Sequence, residues 1–126
     1  SGDFSHYIHH AKNLVDGTHY LDTGYIVSSA SRFSGPYAYP PVFPILLTPI
    51  YWYSGVDLES MKVVPIISLC LALFFLSSIF SDALTRNQRI FSVLLVGLNP
   101  FVLDYCNYIV SDFSFMVFSN FSLYLM

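Results

Sequence analysis

The chain has 126 residues, of which 55% are hydrophobic, 18% aromatic and 10% charged, and its mean hydropathy is +0.59. Soluble domains carry roughly 25% charged residues, so this composition excludes an ordinary soluble domain and indicates a membrane protein. The formal net charge is only -3 and the chain has no basic run, which excludes nucleic acid as a partner.

Residues 3–15 have the pattern of an amphipathic helix. Their apolar side chains recur at spacings of three and four residues, at Phe4, Tyr7, Ile8, Ala11, Leu14 and Val15. Asp3 or Ser5 is a suitable N-cap, and Asp16-Gly17 is a stop signal. The segment is too short and too polar to cross a bilayer, so we expect it to lie on the membrane surface.

Residues 17–40 are punctuated by glycine and proline and interleaved with aromatic rings, which predicts an ordered loop. Residues 41–54 are apolar, but a helix of that length rises only about 21 Å, short of the roughly 30 Å hydrocarbon core. Tyr51, Trp52 and Tyr53 are residue types of the membrane interface. We therefore predict a second juxtamembrane helix, and an extracytoplasmic loop region over residues 1–56.

Residues 57–126 are predicted to be membrane helices at about 61–82, 89–110 and 113–126. Val63 to Ser81 contains no charged residue, which makes it the clearest span. Asn99-Pro100 predicts a kink in the second span. The expected fold is therefore an all-α integral membrane bundle. Because the chain lacks an initiator methionine and stops inside an apolar run, we expect it to be an internal piece of a longer polytopic protein.

The basic residues predict the orientation of these spans. Arg86 and Arg89 lie in the short loop between the first two spans, and the positive-inside rule makes that loop cytoplasmic. The segments before the first span and after the second are then outside. Asp3 and Asp112 should therefore lie on the same, non-cytoplasmic face of the membrane.

Two acids are the main candidates for chemistry. A carboxylate such as Asp3 can act as a general base if it reaches the proton of an attacking hydroxyl; the alternative is a first-turn acid that stabilises the helix. Asp112 could hold a metal or orient an acceptor, and the alternative is again a cap, because Ser111-Asp112 precedes an apolar run.

Histidines and cations form a second group of candidates. His6 and His10 share one helix face, a spacing that zinc sites use, but zinc needs three or four protein ligands, and histidines without a metal are the favoured alternative. A divalent metal at His6, His10 or Asp112 is left open. Arg32 and Lys12 are the cations that could bind a phosphate group; the alternative is a solvated or headgroup-facing role.

Read in order, the chain shows an acid, an amphipathic helix, a loop, Tyr39-Pro40-Pro41-Val42-Phe43-Pro44, a span, a basic short loop, Asn99-Pro100-Phe101 and Ser111-Asp112. This order resembles the N-terminal part of the GT-C membrane glycosyltransferases, of the protein O-mannosyltransferase and aminoarabinose transferase type. The resemblance covers nearly the whole chain, and the Tyr-Pro-Pro segment is its most distinctive part. It implies transfer of a sugar from a polyprenyl or dolichyl phosphate to a hydroxyl acceptor, with inversion at the anomeric carbon.

The resemblance also implies roles for individual residues. Asp3 occupies the position of the family's catalytic base, and Asp112 that of a later acid near the metal or acceptor site. Tyr39 stands where some relatives have lysine, and Phe4 where many have a second acid. Tyr39 and Asp112 are expected to bind substrate, and Arg32 and Lys12 are expected to contact the donor phosphate. The expected partners are a lipid-linked sugar donor, a hydroxyl acceptor and membrane lipid. The alternative is a non-enzymatic polytopic protein, such as a transporter or assembly subunit.

Overall fold

The computed structural model describes residues 4–22 and 39–126, and every regular element within those ranges is an α-helix. The predicted all-α class is therefore confirmed. The helices are α1 (Phe4–Asp16), α2 (Val42–Ser54), α3 (Leu58–Met61), α4 (Val63–Ile79), α5 (Arg86–Gly97), α6 (Pro100–Tyr105) and α7 (Asp112–Tyr124). They form two compact units, Ser1–Met61 and Lys62–Met126.

In the first unit, α1 packs against α2 along the apolar stripe that the sequence predicts. Tyr7, Ile8 and Ala11 are buried, as are Phe43 and Leu47 of α2. The rings of Tyr7 and Phe43 meet edge to face, with centroids 4.9 Å apart, a favoured geometry for aromatic pairs. Both helices predicted for this region, residues 3–15 and 41–54, are confirmed within one residue at each end.

Glycine ends both long helices of this unit. Gly17 has a φ of 67°, and the amide of Thr18 donates to the carbonyl of Asn13 at 3.0 Å, as in a Schellman cap. Gly55 has a φ of 66°, and its amide donates to Tyr51 at 2.8 Å. Only glycine adopts this left-handed φ without strain, so the stop signal predicted at Gly17 has a structural basis, and Gly55 has the same positive φ at the end of α2.

One helical stretch in the described part of the chain is long and apolar enough to cross a membrane. It runs over 22 residues, from Leu58 to Ile79, with Lys62 as a turn residue between α3 and α4. The helix predicted as the first span is thus present, and it begins several residues earlier than the uncharged run. Lys62 is the N-cap of α4, and its carbonyl accepts from the amide of Ile66 at 3.3 Å in the first turn of that helix.

The second predicted span, at about 89–110, is not one helix. Leu98 and Asn99 separate α5 from α6, and the Asn99 side chain caps α6 by accepting from the amide of Phe101 at 2.9 Å. Pro100 has no amide hydrogen to continue the α5 ladder. The predicted kink is therefore a complete break, and the prediction of an uninterrupted span here is corrected to two short helices.

The second unit is built around the pair α4 and α7. Two polar contacts join them, from Ser68 to Ser114 between hydroxyl oxygens at 3.0 Å, and from the Asn120 amide to the Ala72 carbonyl at 3.0 Å. α5 also packs closely on α4, since a Cβ on Gly97 would lie 3.0 Å from a Leu73 methyl group. The helix predicted from residue 113 is thus present as α7, but it has only 13 residues.

Candidate functional site

His10 is the centre of the polar interior of the first unit. Its side chain is fully buried, and Nδ1 lies 2.8 Å from the carbonyl oxygen of Tyr20. The amide of Tyr39 donates to Nε2 at 3.3 Å. A carbonyl oxygen can only accept a hydrogen bond, and an amide N–H can only donate one, so these two contacts fix His10 as the neutral form with its proton on Nδ1.

Tyr20 and Tyr39 are also joined to each other. The Tyr20 hydroxyl donates to the Tyr39 carbonyl at 2.8 Å, and the Tyr20 ring stacks on His10 with centroids 4.2 Å apart and planes 12° apart. Burial raises the pKa of the Tyr20 phenol, so the hydroxyl stays a donor. The three residues thus form a closed ring of hydrogen bonds across 29 positions of sequence.

Asn13 extends this arrangement by one helical turn. It is 5% exposed, and its amide nitrogen donates to the carbonyls of His19, at 3.2 Å, and Asp22, at 2.7 Å. Its side-chain oxygen accepts from the Thr18 hydroxyl at 3.1 Å. We call His10, Asn13, Tyr20 and Tyr39 the His10 cluster. Sequence reasoning missed Asn13, although its place on the same helix face as His10, one turn before Gly17, was a usable signal.

The environment of His10 opposes its protonation. Burial away from water is the main factor that lowers the His10 pKa; the Tyr20 carbonyl acts in the opposite direction, and His6 and His9 lower it further. A proton on Nε2 would also face the Tyr39 amide, so the Nε2 bond would be lost. The His10 cluster is therefore built for neutral histidine.

The histidines do not form a metal site among the described residues. Both nitrogens of His10 are engaged by main-chain groups, which leaves no lone pair for a metal. His6 contacts the Tyr39 ring, with centroids 5.6 Å apart. Residues 4–22 and 39–126 contain no group of three or more His, Cys, Asp or Glu that could hold a metal ion.

Lys12 lies on a different face of α1 from His10. Its ammonium group pairs with Asp16 at 2.8 Å, and both side chains are more than two-fifths exposed. The hydrogen bond to Asp16 raises the Lys12 pKa, so the side chain is cationic. Exposed pairs of this kind exchange partners at little cost, which leaves the Lys12 charge accessible to an anionic ligand.

Lys12 and His9 also line a groove of about 290 Å³ in the first unit. The rest of its lining is mainly apolar and comes from the first half of α1, from the end of α2, and from the connection into α3: Phe4, Ile8, Tyr51, Val56 and Leu58. The groove thus combines a mainly apolar lining with the positive charge of the Lys12 ammonium group.

Tyr39 has a structural role in the first unit. Its main chain belongs to the His10 cluster, and its ring packs on Tyr7 with centroids 4.8 Å apart. Asp112 lies in the second unit as the exposed first residue of α7, and Ser111 before it occupies the N-cap position. Asp3 and Arg32 lie outside the described residues, so the structure does not place the predicted base or the second predicted cation.

Comparison of the chain with protein-family models, with curated proteins and with solved structures finds no match.

Proposed function

We propose that the chain is part of a membrane glycosyltransferase of the GT-C type. It would move a sugar from a polyprenyl or dolichyl phosphate to a hydroxyl acceptor at the non-cytoplasmic face of the membrane. The proposal is supported by the order of motifs along the sequence, by the all-helical architecture and by the candidate span Leu58–Ile79. The groove beside Lys12 supports it most directly.

That groove fits the chemistry of a lipid-linked donor. Such a donor has a long hydrocarbon chain joined to an anionic phosphate, and the groove offers apolar side chains together with the cationic Lys12. Burial of hydrocarbon contributes about 25 cal/mol for each Å² removed from water, and a phosphate gains further from an ammonium partner. A soluble sugar nucleotide has no hydrocarbon chain that could fill the apolar lining.

The proposed bundle needs more membrane helices than the single candidate span that the described residues contain. With 12 residues, α5 rises only about 18 Å, short of the roughly 30 Å hydrocarbon core, so the return to the outer face needs α6 as a second, separate helix. In the proposed topology α4 crosses to the cytoplasmic side, Arg86 and Arg89 remain there, and α5 with α6 returns. Asp3 and Asp112 then lie on the same outer face.

In the proposed reaction the acceptor hydroxyl attacks the anomeric carbon of the lipid-linked sugar from the side opposite the phosphate. A new glycosidic C–O bond forms, the bond from carbon to phosphate oxygen breaks, and the configuration inverts. Asp3 accepts the hydroxyl proton, and the lipid phosphate leaves as an anion. Lys12 and Arg32 stabilise the charge that develops on that phosphate.

Substitution of Asp3 tests the proposal. Membranes that contain the complete protein are assayed for transfer of labelled sugar from a polyprenyl-phosphate sugar to the membrane fraction, with Asp3→Asn compared against Asp22→Asn. Asp22 contributes only its main-chain carbonyl to the His10 cluster, so its variant controls for the loss of one surface charge. We expect Asp3→Asn to abolish transfer at normal expression and Asp22→Asn to retain it. Near-normal transfer by Asp3→Asn would contradict the assignment.

A further inference from the structure

The outer face of α2 carries no charged side chain. Its exposed residues are Val42, Ile45, Leu46, Pro49, Trp52 and Tyr53. Trp52 is 76% exposed, Tyr53 89% and Ile45 53%. We call these six residues the α2 outer face. Scattered apolar side chains are normal on a protein surface, whereas a contiguous apolar patch marks an interaction surface.

The patch continues from α2 onto α1. Leu14 and Val15 of α1 line a shallow groove of about 500 Å³ together with Ile45, Pro49 and Trp52. No Asp, Glu, Lys or Arg occurs anywhere in α2. The charged side chains of α1, Lys12 and Asp16, pair with each other instead. The first unit therefore has one extended apolar side.

The position of α2 in the chain, close to the candidate span, indicates what covers its outer face. Only Gly55, Val56 and Asp57 separate the end of α2 from Leu58, where the 22-residue candidate span begins. Three residues reach at most about 10 Å, so the C-terminal end of α2 cannot be far from the membrane boundary. At 13 residues, α2 rises about 20 Å and is too short to cross the core itself.

The residue types of the face agree with that position. Trp and Tyr are enriched at the level of the lipid headgroups, and Trp52 and Tyr53 occupy the end of α2 nearest the span. The aliphatic residues Val42, Ile45 and Leu46 suit the acyl-chain boundary below the headgroups. An interfacial helix buries such a face about 5–10 Å deep.

We propose that the α2 outer face, together with Leu14 of α1, is immersed in the lipid of the bilayer interface. The helix then lies along the membrane plane and holds the first unit against the surface. This proposal rests on the membrane location of the candidate span and does not require the transfer chemistry. A failure of the Asp3 assay would therefore leave it standing.

The chain contains a single tryptophan, Trp52, so its intrinsic fluorescence reports on the α2 outer face alone. The protein is reconstituted into phosphatidylcholine vesicles whose lipids carry bromine either near the headgroup or near the chain end, and Trp52 fluorescence is measured. We expect stronger quenching by the bromine near the headgroup, and weak quenching by iodide in the water. The matched control is Trp52→Phe with Asp22→Trp, which moves the tryptophan to an exposed polar position of the same unit and should be quenched by iodide.

Three results would overturn the proposal. Quenching of Trp52 by iodide and not by brominated lipid would mean that the face is open to water. Protection from both quenchers would mean that protein covers it, either a second copy or another part of the molecule. Equal lipid quenching at positions 52 and 22 would mean that the α2 outer face is not the side that meets the membrane.

Discussion

The Nδ1 atom of His10 lies 2.8 Å from the carbonyl oxygen of Tyr20, and the ring of Tyr20 stacks on the same imidazole. One side chain of α1 is thus held both by a hydrogen bond and by ring contact to a residue ten positions away. The second imidazole nitrogen receives the amide of Tyr39. This relationship fixes the protonation state of His10 and leads to the first two predictions.

Replacement of His10 by alanine should loosen the first unit. His10→Ala removes two hydrogen bonds and leaves the Tyr39 amide and the Tyr20 carbonyl without this partner, which we expect to cost about 2 kcal/mol. Local opening would then be roughly thirtyfold more frequent, since 1.4 kcal/mol corresponds to a factor of ten. Hydrogen exchange of the α1 amides measures this directly. His9→Ala is the matched control, because His9 is exposed and its loss should change exchange little. Equal effects of the two variants would contradict the role of His10.

The first unit should also lose stability in mild acid. The His10 pKa is lowered from its ordinary value of 6.5, chiefly by burial, so the unfolded chain takes up a proton before the folded one does. Above pH 6.5 both states are neutral at His10 and nothing is lost. As the pH falls below that value, stability drops by up to about 1.4 kcal/mol per pH unit, until the folded state is protonated as well.

Exchange of the α1 amides between about pH 8 and pH 5, corrected for the intrinsic pH dependence of exchange, measures this loss. His9→Ala keeps His10 and should keep the pH dependence, whereas His10→Ala should remove most of it. A corrected opening free energy that stays flat across this range in the unsubstituted protein would contradict the buried neutral histidine.

A crosslink tests the pairing of α4 with α7. The Ser68 and Ser114 hydroxyls lie 3.0 Å apart and are buried, so Ser68→Cys with Ser114→Cys should form a disulfide under mild oxidation. Ser114→Cys alone is the matched control, because native Cys70 is exposed on α4 whereas Ser68 is buried. Mass spectrometry of the digested protein identifies the bond. A crosslink to Cys70 as efficient as that to position 68 would contradict the register of the two helices.

The sequence predicted local structure well where a short-range rule decides it. Periodic apolar residues and the stop signal at Gly17 were sufficient to predict α1. The short length of residues 41–54 and their interface residues distinguished α2 from the predicted spans. The prediction of one helix for the second span was wrong, because apolar composition cannot distinguish one helix from two. The break depends on the side-chain cap from Asn99 and on the missing amide hydrogen of Pro100. From the sequence alone, the Asn99-Pro100 pair predicted only a kink.

The candidate site was harder to predict. His10 was considered for a metal because its spacing from His6 matches zinc sites, and the structure gives its nitrogens to Tyr20 and Tyr39 instead. Those partners are 10 and 29 positions away, and no pattern in a single sequence encodes such pairings. The resemblance placed Tyr39 among the substrate-binding residues, and its described contacts are with Tyr7, His6 and the His10 cluster.

The central claim is that Asp3 and Asp112 lie on the same, non-cytoplasmic face of the membrane, and labelling of single cysteines tests it most directly. With Cys70 and Cys106 replaced by serine, Asp3→Cys, Asn87→Cys and Asp112→Cys are each treated in sealed, right-side-out vesicles with a thiol reagent that cannot cross lipid. We expect labelling at positions 3 and 112 from outside, and at position 87 only after the membrane is opened. Labelling of positions 3 and 112 from opposite sides would contradict it.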